Sequence, residues 1–115
     1  MTDIKKLQDL VVAFRDERDW KQFHNPKDLA VSLSLEAAEV LEHFQWKNAV
    51  EMKAHVESHR AELGEELSDV LFWVLLMAND LEIDITDAFV KKLQKNGQKY
   101  PVEKAKGKHT KYTEL

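Results

Sequence analysis

The sequence predicts an all-α protein, built as a four-helix bundle and assembled as a homo-oligomer. Only three glycines and two prolines interrupt its 115 residues, and apolar residues recur at steps of three and four over most of the length. No pair of alternating stretches indicates strands, and no internal repeat is present. Because 115 residues suit one domain with a hydrophobic core, we expect residues 1–115 to form a single helical domain with a basic tail at 102–115.

The first two helices have clear start signals. Thr2 and Asp3 are candidate N-caps for the first helix, whose apolar face has five members: Ile4, Leu7, Leu10, Val11 and Phe14. Asn25 followed by Pro26 indicates the start of the second helix, because asparagine caps well and proline fits the first turn. That helix is predicted over about residues 27–44, with a buried stripe of six residues: Leu29, Leu33, Ala37, Val40, Leu41 and Phe44.

The remaining two helices follow a polar stretch. We expect WKNAVEMKAHVESHR, residues 46–60, to be mainly a connection into a third helix that runs from roughly residue 56 to 81. Asp84 or Thr86 can cap a fourth helix. This helix should end near NGQKYP, residues 96–101, because glycine and proline both terminate helices.

The predicted helices carry more apolar surface than one thin bundle can bury. The run VLFWVLLMA, residues 70–78, is apolar around the whole circumference of its helix. Surface of this kind is usually covered by another chain. We therefore expect a homo-oligomer.

Charge and composition exclude several classes of function. Residues 1–90 carry a net charge of −10, whereas residues 91–115 carry +6. A chain so acidic over most of its length is unsuited to wrapping nucleic acid, although its basic tail suits a small phosphate ligand. The absence of cysteine excludes thiolate metal sites. Neither a membrane span nor a secretory signal is visible, so we expect a cytoplasmic protein that binds no membrane.

Two pairs of acidic residues stand out by their spacing. Glu36 and Glu39 lie three residues apart on the second predicted helix, and Glu66 and Asp69 repeat that spacing where the apolar run of the third begins. Two carboxylates about 6 Å apart repel by roughly 3 kcal/mol at an effective dielectric constant near 20, so four together require a cation. Oxygen ligands favour Mg²⁺ or Mn²⁺. The spacing leaves a solvated acidic face as the alternative.

The five histidines do not suggest a second metal site. No glutamate is followed by a histidine three residues later, which excludes the ligand pattern of ferritin-like di-iron bundles. His55 and His59 lie four residues apart but lack the H-E-x-x-H pattern of zinc proteases. We therefore expect both to be surface residues.

Three stretches together resemble a known family. SLEAAEVLEHFQW (34–46), ELGEELSDVLFWVL (62–75) and NGQKYP (96–101) are similar to the MazG-like, all-α nucleoside triphosphate pyrophosphohydrolases, especially the dCTP-pyrophosphatase-like branch. The resemblance covers about residues 20–112. It implies a MazG-like bundle, assembled as a dimer or tetramer with sites between subunits, and we predict a tetramer. It also implies Mg²⁺-dependent cleavage of nucleoside triphosphates, such as dCTP or modified dNTPs, to the monophosphate and pyrophosphate.

The resemblance also implies roles for individual residues. The metal ligands would be Glu36, Glu39, Glu66 and Asp69. Glu62 and Glu65 are spare acids that could activate the attacking water. Contacts to the triphosphate would come from five residues: Lys92, Asn96, Lys99, Tyr100 and Lys108.

The expected base pocket is formed by a histidine and aromatic residues. WKQFHNPKDLA, residues 20–30, resembles the stretch that surrounds the nucleobase in this branch. The candidates are Trp20, Phe23, His24 and Trp46, although Phe23 and Trp46 could instead pack at helix ends. Trp73 would line the sugar site or belong to the core. Asp28 departs from the asparagine that the branch has at this position.

Two other functions remain open. A non-catalytic helical interaction module would have the acids as a solvated face, and Mg²⁺ would not change its melting temperature. An enzyme of the same fold could act on another phosphorylated metabolite, such as a phosphoribosyl-ATP intermediate. The preferred base and sugar do not follow from the sequence.

Overall fold

The computed structural model describes residues 3–115, which form six α-helices and two short 3-10 helices. The α-helices are α1 (Ile4–Glu17), α2 (Pro26–Glu42), α3 (Ala49–Ser58), α4 (Arg60–Asp80), α5 (Ile85–Lys99) and α6 (Val102–Ala105). The 3-10 helices are Lys21–Phe23 and Tyr112–Glu114. Residues 3–115 contain no β-strand, which confirms the all-α prediction. The chain divides into two compact units, Met1–Glu82 and Ile83–Leu115, called here the N-terminal and C-terminal units.

Short polar side chains begin three of the helices where the sequence predicts. Asp3, Asn25 and Asp84 each accept a hydrogen bond from the backbone N–H three residues later, at 2.9–3.1 Å. These bonds satisfy donors that have no partner within the helix. Asp84 rather than Thr86 is therefore the cap of α5. Thr2, the other candidate cap of α1, lies outside the described residues.

The stretch at 46–60 contains a helix where a connection is expected. Asn48 and Glu51 form a capping box at the start of α3: each side chain accepts a hydrogen bond from the other residue's backbone N–H. At His59 the backbone leaves helical geometry, with φ −123° and ψ 27°, so α4 begins at Arg60 rather than near residue 56. With α3 and the short α6, the described residues contain six α-helices instead of four.

Helix α4 is the centre of the N-terminal unit and packs against α1, α2 and α3. Four apolar side chains are almost completely buried in this unit: Leu29, Leu75, Leu76 and Ala78. Helix α1 adds polar contacts to α4. Gln8 Nε2 donates a buried hydrogen bond to the Leu75 carbonyl at 3.0 Å. Arg15, which is 1% exposed, pairs with Asp80 at 2.5 Å.

The buried stripe of α2 differs from the predicted one. Leu29 and Val40 are buried or half-buried, but Ala37 and Leu41 are exposed, Leu41 by 61%. Each of these two residues lies one position beyond an inward-facing residue and therefore about 100° further around the helix. Glu36 occupies the half-buried position that precedes Ala37. The helix thus places a carboxylate at the edge of the core.

The C-terminal unit contains α5, α6 and the final 3-10 helix. The rings of Tyr100 and Tyr112 meet edge to face, with centroids 5.9 Å apart. Lys99 Nζ lies 4.7 Å from the centroid of the Tyr112 ring. These contacts join the end of α5 to the last residues of the chain. Of the helices within residues 3–115, none is long and apolar enough to cross a membrane.

Candidate functional site

The four predicted metal ligands lie together in the N-terminal unit. One carboxylate oxygen from each residue lies within 4.8 Å of the others, and we call this group the acidic cluster: Glu36, Glu39, Glu66 and Asp69. Helix α2 supplies the first two residues and α4 the last two. The three-residue spacing puts each pair on one helix face, and the packing of α2 against α4 brings the pairs together.

The carboxylates of the cluster perturb one another. The pKa of Glu36 is raised by burial and then by the neighbouring Glu39 carboxylate. The pKa of Glu66 is raised first by Glu39 and then by burial. Two carboxyl groups can form a hydrogen bond only by sharing a proton, which is why this contact favours the protonated forms. Glu39 is therefore the neighbour that both half-buried glutamates share.

The cluster has oxygen atoms that need a partner. Glu36 Oε2 and Glu66 Oε2 are buried, and neither has a hydrogen-bond partner among residues 3–115. A buried carboxylate oxygen without a donor is unfavourable, and a cation bound between the carboxylates removes that cost. Because the cluster offers oxygen and no sulfur or imidazole ligand, it fits hard cations of the Mg²⁺ and Mn²⁺ type. A purely solvated acidic face does not account for the two buried oxygens.

A cavity of about 440 Å³ adjoins the cluster. Glu36 and Asp69 belong both to the cluster and to the cavity wall. The rest of the wall is apolar and aromatic: Leu10, Val11, Phe14, Phe72 and Trp73. Its volume is within the range of small-molecule sites. Such a cavity suits a ligand that combines a flat ring with a group able to bind a cation.

Aromatic rings continue from the cavity wall in a connected series. Phe72 meets Phe14 and Trp73 edge to face, with ring centroids 6.0 and 5.1 Å apart. Trp20 contacts Phe14 at 5.8 Å, and His24 contacts Trp73 at 5.5 Å. The structure thus brings two predicted base-binding residues, Trp20 and His24, into one cluster with Trp73, the residue predicted for the sugar site or the core. Trp73 lines the cavity, and Trp20 and His24 each lie one ring behind its wall.

His24 has an unused ring nitrogen. Its Nδ1 atom is buried and has no hydrogen-bond partner in the described part of the chain. Burial lowers the pKa of His24, and the positive charge of Arg15 lowers it further. The imidazole is therefore mainly neutral at pH 7, with one donor and one acceptor. It also borders a second, more polar cavity of about 320 Å³ that includes Asn25 and Asp80.

Three other residues of the expected base pocket do not line the 440 Å³ cavity. Phe23 is 66% exposed. Trp46 is 91% exposed and follows α2 with a φ of 68°, in the left-handed region, which costs a bulky residue about 1–3 kcal/mol. Asp28, the departure from the family pattern, accepts a hydrogen bond from Asn25 Nδ2 at 2.8 Å. Its carboxylate thus supports the N-cap of α2.

The five residues expected to contact the triphosphate all belong to the C-terminal unit. Asn96 and Tyr100 are half-buried, and the lysines are exposed: Lys92, Lys99 and Lys108. Lys99 is the one whose ammonium group lies over an aromatic ring, that of Tyr112. Their contact with phosphate stays a prediction.

The structure places three histidines near the acidic cluster that the sequence analysis did not assign to the site, because their spacing matches no metal-ligand motif. His43 Nε2 lies 3.8 Å from Glu66 Oε1, and His43 Nδ1 lies 2.8 Å from His55 Nε2. The rings of His55 and His59 stack at 4.1 Å with an angle of 11° between them. Both are half-buried, so they are less exposed than the surface positions predicted for them. The available signal was His43, which follows Glu39 by four residues and therefore shares its helix face.

The chain is similar to known proteins over its whole length. Residues 31–115 match the MazG-like family. The chain is 40% identical to dCTP pyrophosphatase 1 of Mus musculus over 117 aligned positions, which cover all of this chain and 67% of the mouse protein. It is 39% identical to the Homo sapiens protein of the same name, with 67% of that protein covered. A crystal structure of a pyrophosphatase from Archaeoglobus fulgidus superposes with a TM-score of 0.81 at 40% identity, covering 88% of this chain and 94% of that one.

Proposed function

Because this chain belongs to the MazG-like family and is related along its whole length to pyrophosphatases, it is a nucleoside triphosphate pyrophosphohydrolase, and we propose that the acidic cluster is its metal centre. The observation that carries the proposal is the meeting of four carboxylates within 4.8 Å, two of them with buried, unpartnered oxygens. The preferred ion is Mg²⁺, and Mn²⁺ should substitute for it, because both accept oxygen-only ligands.

The metal ligands and the cavity would bind different parts of the substrate. A bound Mg²⁺ would offset the charge of the triphosphate and lower the pKa of a coordinated water. Glu36 and Asp69 line the cavity as well as the cluster, so a nucleotide in the cavity has its phosphates next to the metal ligands. With the ion held by the cluster, the substrate's charge would be neutralised where the attack occurs. The product pair is a nucleoside monophosphate and pyrophosphate.

The nucleoside is expected to occupy the aromatic cavity. Trp73 and Phe14 offer ring surfaces to a base or sugar, and such stacking contributes about 1–3 kcal/mol per base. His24 can then use its unpaired nitrogen to recognise a polar edge of the base. The mouse and human relatives are named for dCTP, so dCTP is the first substrate to test. Modified deoxynucleotides are the next, and their removal from the nucleotide pool is the role that follows.

We further propose that the chain acts as a homo-oligomer. Apolar side chains of α2 and α4 point to solvent although they recur at helical spacing: Val31, Leu35, Leu67 and Leu71. Trp46 is exposed and held in a strained backbone conformation, which suits a contact made outside its own chain. We therefore expect Trp46 to contact substrate or protein across a subunit interface. Light scattering after size-exclusion chromatography measures the number of subunits.

The decisive experiment identifies the products. The purified chain is incubated with dCTP and Mg²⁺, and the nucleotides are separated while pyrophosphate and orthophosphate are assayed independently. We expect dCMP and pyrophosphate in equal amounts and no reaction after chelation by EDTA. Release of orthophosphate with dCDP, or activity that survives chelation, would contradict the proposal.

A pair of matched variants on α2 assigns the reaction to the cluster. Glu39→Gln removes one ligand charge with little change in size, whereas Glu42→Gln removes the same charge from an exposed residue one turn later and outside the cluster. We expect Glu39→Gln to abolish turnover and Glu42→Gln to retain it. Comparable activity in the two variants would remove the cluster from the mechanism.

A further inference from the structure

The histidine array, His43, His55 and His59, connects three elements to the acidic cluster. His43 follows the last residue of α2, His55 belongs to α3, and His59 lies at the junction of α3 and α4. His43 faces Glu66, and His55 contacts His43 on the side away from that carboxylate. The proposed function assigns no role to these imidazoles. Their arrangement nevertheless bears on the orientation of one metal ligand.

The contact between His43 and His55 restricts where their protons lie. At 2.8 Å, His43 Nδ1 and His55 Nε2 are hydrogen-bonded, so one nitrogen donates and the other accepts. If His55 donates, His43 Nδ1 accepts, so the ring proton of His43 is on Nε2, the nitrogen that faces Glu66. If His43 Nδ1 donates instead and Nε2 carries no proton, His43 presents a lone pair to a carboxylate 3.8 Å away, which is repulsive. Of these two tautomers, the one with its proton on Nε2 is favoured.

His55 is held in place for this role. Its ring stacks on that of His59 at 4.1 Å, and His59 Nδ1 lies 2.7 Å from Ser58 Oγ. Burial lowers the pKa of His55, as does the positive charge of neighbouring groups, His59 first among them. In the favoured tautomer of His43, the N–H of His55 is at Nε2 and is used by the contact with His43 Nδ1.

The two oxygens of Glu66 have different surroundings. Oε1 lies 3.8 Å from His43 Nε2, whereas Oε2 is buried and has no hydrogen-bond partner within residues 3–115. An N–H at Oε1 favours the side-chain orientation that leaves Oε2 free for a cation. Partners of this kind, beyond the ligands themselves, orient metal-binding carboxylates in many sites.

We propose that His43 is a positioning residue for the metal centre, which His55 keeps in the tautomer protonated on Nε2, so that this N–H orients the Glu66 carboxylate toward the cation. The proposal rests on the proposed function, because it requires the acidic cluster to bind a divalent ion. Loss of such a partner typically weakens metal binding about 10- to 100-fold. Since 3.8 Å exceeds hydrogen-bond length, we expect the lower end, about tenfold.

Amide substitutions separate the two ring nitrogens of His43. In His43→Gln, the side-chain amide can occupy the place of Nε2 and keep an N–H toward Glu66. In His43→Asn, the shorter amide can occupy the place of Nδ1, which keeps the contact with His55 and loses the group that faces Glu66. Likewise His55→Gln keeps a donor toward His43, and His55→Leu removes it. His109→Gln is the control, because His109 belongs to neither the histidine array nor the acidic cluster.

The first readout is the affinity for Mn²⁺ alone, measured by electron paramagnetic resonance on the full chain without nucleotide. We expect the dissociation constant to rise about tenfold in His43→Asn and His55→Leu, and to stay near wild type in His43→Gln, His55→Gln and the control. Equal affinities in His43→Asn and His43→Gln would overturn the proposal. A merely structural role for His43 predicts equal losses in both.

The second readout is the tautomer itself. Nitrogen-15 NMR of the histidine-labelled, metal-free chain distinguishes protonated from unprotonated ring nitrogens, and His43→Gln identifies the signals of His43. We expect a proton on Nε2 and none on Nδ1. A proton on Nδ1, alone or together with Nε2, would overturn the proposal. A wild-type chain that binds no Mn²⁺ would overturn the proposed metal centre as well, whereas binding that is insensitive to both histidines would overturn only their role.

Discussion

Replacing Glu39 by glutamine should stabilise the metal-free protein while it removes the response to Mg²⁺. Glu39 is the carboxylate that raises the pKa of both Glu36 and Glu66, so its charge is the one that both neighbours oppose. A glutamine amide of nearly the same size removes that charge. It can also donate a hydrogen bond to one of the two buried oxygens that have no partner among the described residues.

The size of the effect follows from the distance between the charges. Oxygens of Glu39 and Glu36 lie no more than 4.8 Å apart, which corresponds to a repulsion of about 3.5 kcal/mol at an effective dielectric constant near 20. Because Glu39 is exposed, solvent screens most of this energy, and about 1 kcal/mol is a realistic gain. For a chain of 115 residues, that gain raises the melting temperature by about 4 °C.

Differential scanning calorimetry in EDTA and then in Mg²⁺ measures both parts of this prediction. We expect wild type to melt lower than Glu39→Gln in EDTA and to gain stability from Mg²⁺, whereas the variant gains little. Glu42→Gln is the control, because that residue is exposed on α2 and outside the cluster. A Glu39→Gln variant that melts below wild type in EDTA, or that responds equally to Mg²⁺, would refute the reasoning.

Three further predictions concern pH, the base and the phosphates. In EDTA, the free energy of unfolding should fall as the pH rises from 4.5 through the raised pKa values of Glu36 and Glu66. Over this range the folded state loses protons that the unfolded state has already released. Urea titrations at several pH values measure this free energy, and no fall would contradict the prediction. His24→Ala should raise KM and alter the ranking of nucleotides more than it lowers kcat, so an unchanged ranking counts against base recognition. Lys99→Ala should weaken triphosphate binding more than monophosphate binding, with a difference that shrinks in high salt; equal losses would exclude a contact with the terminal phosphates.

Helix positions followed from local signals, and the misassigned stretch shows the limit of those signals. Asn25 and Asp84 could be recognised as caps because a cap acts on residues three positions away. Asn48 and Glu51 form the same kind of local signal, but the polar composition around them resembles a connection. At His59 the backbone leaves helical geometry, and no glycine or proline marks that break in the sequence.

The acidic cluster was predictable from the sequence because like charges at close range need a cation or solvent. The contacts of the histidines were not predictable, because the conformation of a turn brings them together. Four acids near an apolar run require a cation or solvent, so their spacing points to a metal site whatever the details of packing. The contact between His43 and His55 instead joins residues 12 positions apart across the turn between α2 and α3. Trp46, in the same turn, looks like a packing residue by composition, but its φ of 68° accompanies a ring that is 91% exposed.

Helix α4 has two roles, core packing and placement of two cluster carboxylates, and together they explain the acids at the start of its apolar run. Leu75, Leu76 and Ala78 bury the second half of the helix, which fixes its position against α1 and α2. Glu66 and Asp69 lie about two to three turns earlier on the same helix. The packing of its second half therefore also fixes the position of these two residues, which remain at the edge of the core. Their mutual repulsion destabilises the metal-free fold, but a cation present at 100 times its dissociation constant would stabilise the folded protein by about 2.7 kcal/mol. This stabilisation exceeds the destabilisation of about 1 kcal/mol expected from the charge of Glu39, so a bound cation is enough to offset the repulsion between the carboxylates of its site.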